Sequence, residues 1–184
     1  MLPNIFVEPK LPPWWKETFA DGIKITNDDP KSATIIDERE HGELGRFQIV
    51  HQQDLFKKSS IPTHRVIILG RNRLLGEAIY RNRETSAVVD NLEARPEKFG
   101  IGPALLSVVG KQTGKPITLI ARPEKIHFYE GCGLEFANPA RRGDIRADGG
   151  YVMRLSANKH VARGGLLDAS WVPTKQGQRG KTRG

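Results

Sequence analysis

The sequence predicts a mixed α/β protein built on one sheet. Three observations carry that expectation. Short β-branched and apolar runs recur from residue 46 onward, bounded by turn residues. Two short helical segments, 104–111 and 124–131, flank a buried-type strand at 116–121. The resulting order is several strands, helix, strand, helix, strand, strand, which is not the regular alternation of a doubly wound fold. No internal repeat is visible.

The first 20 residues read as an arm, because Pro12 and Pro13 bar regular structure before Trp14 and Trp15. Those rings are expected to cover an apolar edge of the domain. Residues 21–45 hold seven acidic and three basic residues around Ile35-Ile36, and read as a mostly exposed loop region with room for one strand. Phe47-Gln48-Ile49-Val50 is strand-like. The run from His64 to Gly70 is a strand, and a turn at Gly70-Arg71-Asn72 returns the chain along Leu74 to Tyr80. Ser86 to Glu93 is a further strand. Ala104 to Lys111 reads as a helix with Pro103 at its first position, ended by Gly114. Pro116 to Ala121 is a strand, and Glu124 to Gly131 a short helix stopped by Gly131 and Gly133. Leu134 to Ala137 and Gly150 to Leu155 are the last strands, separated by a loop rich in Arg, Asp and Gly.

At 184 residues the chain has the length of one domain with added terminal segments. The expected division is an arm and acidic segment at 1–45, a core at 46–156, an extension at 157–172 and a disordered basic tail at 173–184. No run approaches the ~18 apolar residues of a membrane helix. One cysteine, Cys132, makes neither an internal disulfide nor a multi-cysteine zinc site. With no signal-like start, these features point to the cytoplasm. The net charge of +8 is unevenly placed. Residues 1–100 carry 15 basic and 15 acidic residues, and residues 101–184 carry 14 and 6. The last twelve residues hold four of those cations and no acid, which leaves an excess of +4 in the ordered second half.

Chemistry concentrates at Phe99-Gly100-Ile101-Gly102-Pro103, a Gly-rich turn between a strand and a helix. The amides from Lys98 to Gly102, with Ala104, are placed to meet a phosphate at a helix start, although Pro103 lacks an N–H. Two glycines at such a turn are more often simple turn chemistry. The turn is not a nucleotide P-loop, because no Gly-Lys-Ser/Thr ending follows. It also lacks the third glycine and the acid-ended strand of a dinucleotide site.

About 30 residues on, Phe128-Tyr129-Glu130 precedes Gly133-Leu134-Glu135-Phe136. Together with residues 92–106, this pairing resembles the GNAT superfamily of N-acetyltransferases over roughly residues 46–156. The resemblance implies a bent mixed sheet whose two central parallel strands, 86–93 and 116–121, splay to admit the pantetheine arm of acetyl-CoA. It implies that Leu92 and Ala94 pair with pantetheine. It places pyrophosphate on Lys98, Phe99, Gly100, Ile101, Gly102 and Ala104. Tyr129 matches the position of a general acid for the leaving thiolate. Glu97 stands where the family usually has Gln or Arg, and Arg122 where many members have Asn. Arg122 can pair with phosphate.

A general base is sought among Asp90, Asn91 and Glu93, with Glu93 ranked first. His127 as a proton acceptor and Cys132 as a nucleophile are weaker candidates. No metal site is expected. The implied acceptor is an amine on a small molecule, a protein or an aminoacyl-tRNA. Residues 57–83 carry seven basic residues and one acid, Glu77, and Arg141, Arg142 and Arg146 form a second basic loop. If these converge, RNA contact and a toxin-like transfer to aminoacyl-tRNA become credible. A GNAT-fold binding module without catalysis and a basic nucleic-acid-binding protein are the competing classes, and a homodimer stays open.

Overall fold

One eight-stranded sheet organises the residues that the computed structural model describes, which are 33–53, 60–70, 74–95, 99–138, 150–157, 159, 161, 166–167 and 171. In chain order the strands are β1 (Ala33–His41), β2 (Gly45–Gln52), β3 (Thr63–Gly70), β4 (Leu74–Asn82), β5 (Ala87–Ala94), β6 (Ile117–Ala121), β7 (Glu135–Phe136) and β8 (Tyr151–Leu155). Helix α1 (Ile101–Thr113) connects β5 to β6. A 3-10 turn (Pro123–Lys125) leads into helix α2 (Ile126–Gly131). The spatial order is β1-β2-β3-β4-β5-β6-β8-β7, and each neighbouring pair is antiparallel except β5 and β6.

The sheet starts earlier than the composition suggests. Residues 33–41 form a nine-residue edge strand, where the acidic segment reads largely as loop. Its charges fit an exposed edge: Glu38 accepts hydrogen bonds from Arg46 and Gln48, its neighbours on β2. The arm with Trp14 and Trp15, the turn at Arg71-Asn72, Glu97, Lys98, the basic loop 141–149 and the tail 173–184 lie outside the described residues.

Helix α1 covers one face of the sheet. Its Ile101, Ala104, Leu105, Val108 and Val109 recur at helical spacing, and all are buried. They pack with Val66, Ile68, Ala78, Val89 and Leu119. Gly76 makes this approach feasible. A Cβ there would stand 2.7 Å from both the Glu93 carbonyl and the Ile101 side chain. The opposite face also buries apolar residues, among them Val50, Ile67 and Ile79.

The start of α1 differs from expectation. The helix begins at Ile101, so Pro103 is its third residue and not its first. Proline is tolerated there because the first N–H groups of a helix have no intrahelical acceptor. Gly100 precedes the helix at φ 69°, a left-handed conformation that favours glycine. Gly114 ends the helix at φ 63° and donates its N–H to the Gly110 carbonyl at 2.8 Å.

Candidate active site

The two parallel strands part midway. Their ladder holds only Ala87 to Ile117, Val88 to Thr118 and Val89 to Leu119. Beyond it β5 continues with β4, from Asn91 opposite Ile79 to Ala94 opposite Gly76. β6 continues with β8, from Ile120 opposite Val152 to Ala121 opposite Tyr151. The cause is local. Tyr80 pairs with Val89 and Ile79 with Asn91, so Asp90 is an extra residue bulged out of the β4–β5 ladder. A bulge bends its strand and increases the local twist, which carries the end of β5 away from β6. Arg81 fastens the bulge by donating two hydrogen bonds to the Asp90 carboxylate, at 2.7 and 2.6 Å.

A cleft of about 670 Å³ fills the opening. It is lined by Asp90, Asn91, Leu92, Glu93, Ala94, Gly102, Arg122 and Tyr129, eight of the residues singled out in the sequence. Ile120, an exposed large apolar side chain, also lines it. The sequence reading missed three flanking cations and aromatics, Arg95, Lys125 and Phe128. Their signal was position: each lies within four residues of a selected one.

Other selected residues fall elsewhere. Phe99, Gly100 and Ile101 are not among the cleft-lining residues. Phe99 packs edge-on against His41, with ring centroids 5.8 Å apart. Ala104 is corrected as a phosphate contact, because it is fully buried and its N–H is already bonded to the Gly100 carbonyl at 3.0 Å. At the helix start the cleft thus reaches Gly102, while Ile101 is fully buried and Pro103 has no N–H. Gly102 also has a packing reason, since a Cβ there would meet the Phe128 ring end at 2.9 Å.

Tyr129 is held from its backbone. Helix α2 ends in a Schellman motif: Leu134 N–H donates to the Tyr129 carbonyl at 3.0 Å and Gly133 N–H to the Glu130 carbonyl at 2.9 Å. Gly133 supplies the left-handed residue, at φ 93°. The ring stacks edge-on against Phe128. Burial, and then nearby Cys132, raise the phenol pKa above its ordinary 10, so the hydroxyl keeps its proton at neutral pH. Cys132 itself is fully buried, which removes it as a nucleophile. His127 points to solvent, 3.4 Å from Glu130.

The base candidates separate. Asp90 is tied to Arg81, and the Asn91 amide donates to Glu77 Oε1 at 3.2 Å, which leaves Glu93, of the three, as an exposed carboxylate not tied to a neighbour by a side-chain bond; Glu124 is a further exposed carboxylate on the same cleft. Glu77 went unselected in the sequence, yet it is buried behind that wall. Burial pushes its carboxyl pKa up to about 7, against the opposing pull of Arg65. Arg65 is corrected as a surface charge. Its side chain is fully buried, donates to Gln52 Oε1 at 2.7 Å and lies 3.8 Å from Glu77. Among the described residues, no cluster of three or more His, Cys, Asp or Glu could hold a metal. No described helix is long and apolar enough to cross a membrane.

The sequence matches no protein-family model and no curated protein. Solved structures overlap it in part. The anti-CRISPR protein AcrVA5 is 27% identical over 44% of this chain and 90% of its own, with a TM-score of 0.36. The Escherichia coli ribosomal-protein-S18-alanine N-acetyltransferase is 22% identical over 56% and 73%, at 0.41. A Bacillus anthracis protein assigned as a streptothricin acetyltransferase, solved with acetyl coenzyme A, is 13% identical over 68% and 89%, at 0.45. The chain's own topology meets the expectation drawn from its motifs. With two central parallel strands that part beside a glycine-started helix, the fold is GNAT-like.

Proposed function

We propose that the protein is an N-acetyltransferase that uses acetyl-CoA and an amine acceptor. The observation that carries this reading is the parting of β5 and β6 around a cleft that contains Tyr129. Beyond Val89, the β5 edge that faced β6 has no ladder partner, so its backbone groups are available to an extended, amide-bearing ligand. The pantetheine arm has that chemistry. The α1 start at Gly102, with Arg95, Arg122 and Lys125 on the same cleft, suits the pyrophosphate.

Acetyl-CoA supplies the activated thioester. Leu92 and Ala94 lie on the free edge that would orient it. Glu93 takes the proton that the amine nitrogen loses as the carbon–nitrogen bond forms. Tyr129 gives its phenolic proton to the sulfur as the carbon–sulfur bond breaks, and burial keeps that proton in place beforehand. The acceptor is an amine on a small molecule, a protein or an aminoacyl-tRNA. The RNA reading loses two cations of its basic stretch, since Arg65 is buried and Arg81 is paired with Asp90.

Calorimetry with acetyl-CoA, followed by thiol release over a panel of amines, tests the reading. Saturable binding and release are expected. Tyr129→Phe should lower kcat by ~10²-fold or more while the acetyl-CoA Kd stays within twofold. Absence of acetyl-CoA binding sinks the proposal, and full activity in Tyr129→Phe removes the general-acid role.

A further inference from the structure

Behind the cleft wall the sheet buries a polar chain that the mechanism above leaves unused. Glu77 lies mid-strand on β4, directly opposite Ile67 on β3 and Glu93 on β5. Its Oε1 accepts the Asn91 amide, and its Oε2 is buried beside Arg65, 3.8 Å from Nη1. Arg65 reaches on to Gln52. The line Gln52–Arg65–Glu77–Asn91 therefore crosses β2, β3, β4 and β5 and ends at the cleft, which Asn91 and Glu93 both line.

Directly opposed residues of an antiparallel pair hold their Cβ atoms ~5 Å apart on one face. Two carboxylates so placed resist being charged together, which favours a shared proton. The groups facing Glu77 are Arg65 from β3 and Asn91 and Glu93 from β5. The next charge on β4, Arg81, is occupied by Asp90. Burial is the dominant influence, Glu93 adds to it, and together they outweigh Arg65 and Asn91. A carboxyl poised near neutrality is well matched to taking up a proton there.

We propose that Glu77 is the proton-accepting partner of Glu93: the proton lost by the acceptor amine passes to Glu93 at the cleft wall and on to the Glu77 carboxylate behind it. This rests on the acetyltransferase reading. The balance is closed: nitrogen bonds the acetyl carbon, the carbon–sulfur bond breaks, and sulfur receives the Tyr129 proton. The nitrogen's proton rests on Glu77 until exchange through Glu93 with solvent restores both carboxylates and the phenol. Glu77 touches neither thioester nor amine, so it is a positioning residue that acts through Glu93.

The test is the pH profile of kcat/KM for wild type, Glu77→Gln and Glu77→Asp, with acetyl-CoA and the best amine of the panel. Wild type should show an acid limb near pH 7. Glu77→Gln should lose that limb and ~10-fold or more in kcat at unchanged acetyl-CoA Kd, and Glu77→Asp should keep the limb. A limb that survives in Glu77→Gln overturns the relay. A second measurement does not need that variant to fold. Carboxyl-carbon NMR of Glu77 in wild type and in Glu93→Gln should give a midpoint that moves down when Glu93 is removed, and an unmoved midpoint overturns the pairing. A wild type that binds no acetyl-CoA overturns the transferase reading and the relay with it. Intact turnover with an unmoved midpoint overturns the relay alone.

Discussion

The two halves of β5 are built from one strand and do opposite things. Ala87, Val88 and Val89 are laddered to β6 on one side, and Ala87 and Val89 are buried. Asp90 to Ala94 have no partner on that side, and Asp90 and Glu93 are exposed. Their partners on β4 differ in kind. Val89 faces Tyr80, whereas Glu93 faces Glu77. Stability thus concentrates before the Asp90 bulge, and polar chemistry after it. A single extra residue in the ladder divides a structural half from a reactive one.

The largest way to expose that division is through pH. Folding raises the Glu77 carboxyl from its ordinary 4.5 to about 7. The folded chain therefore binds more protons than the unfolded one between those values. The contribution of this group to stability is fully present below pH ~4.5 and is lost as pH rises through about 7. The lost amount is of order 3 kcal/mol. Glu77→Gln should flatten that fall, read as the difference between wild-type and variant unfolding free energies at pH 4.5 and pH 8. Parallel curves for the two proteins would place the ionisation outside the folding balance.

How much of this division is legible in the sequence follows from where its information resides. The β-branched run at 64–69 marks β3, and Gly100 and Gly114 mark the ends of α1, because those signals are local. Strand β1 hides in Asp37-Glu38-Arg39-Glu40, since an edge strand does not need an apolar run. Glu77 appears in the sequence as the lone acid among cations. Its burial against Arg65, twelve residues earlier, depends on the β3–β4 register, which no local pattern states. The same holds for the bulge. Asp90 becomes the extra residue only when Tyr80 pairs with Val89 and Ile79 with Asn91.

A matched pair of truncations gives the next effect in size. Val89→Ala removes buried methyl groups from the closed half and should cost about 2 kcal/mol in denaturant unfolding, with acetyl-CoA affinity unchanged. Leu92→Ala trims a half-buried side chain on the cleft wall. It should cost only about 1 kcal/mol and weaken acetyl-CoA binding several-fold. Equal losses of stability and affinity in both variants would show that the two halves are not energetically distinct.

The smallest effect tests whether the open half is served from outside β5. Gly133→Ala places a side chain at φ 93°, where an L-residue is strained, and should cost about 1 kcal/mol of stability. The bond at risk is the one from Leu134 N–H to the Tyr129 carbonyl, which fixes the backbone of the proposed acid. Nothing on β5 depends on it. Measured well below the unfolding temperature, kcat should therefore fall a few-fold while the acetyl-CoA Kd holds, because positioning of a catalytic group is more sensitive to small displacements than binding is. A loss confined to Kd would instead tie Gly133 to the cleft through Phe128 and Gly102, whose contact packs α2 against the start of α1.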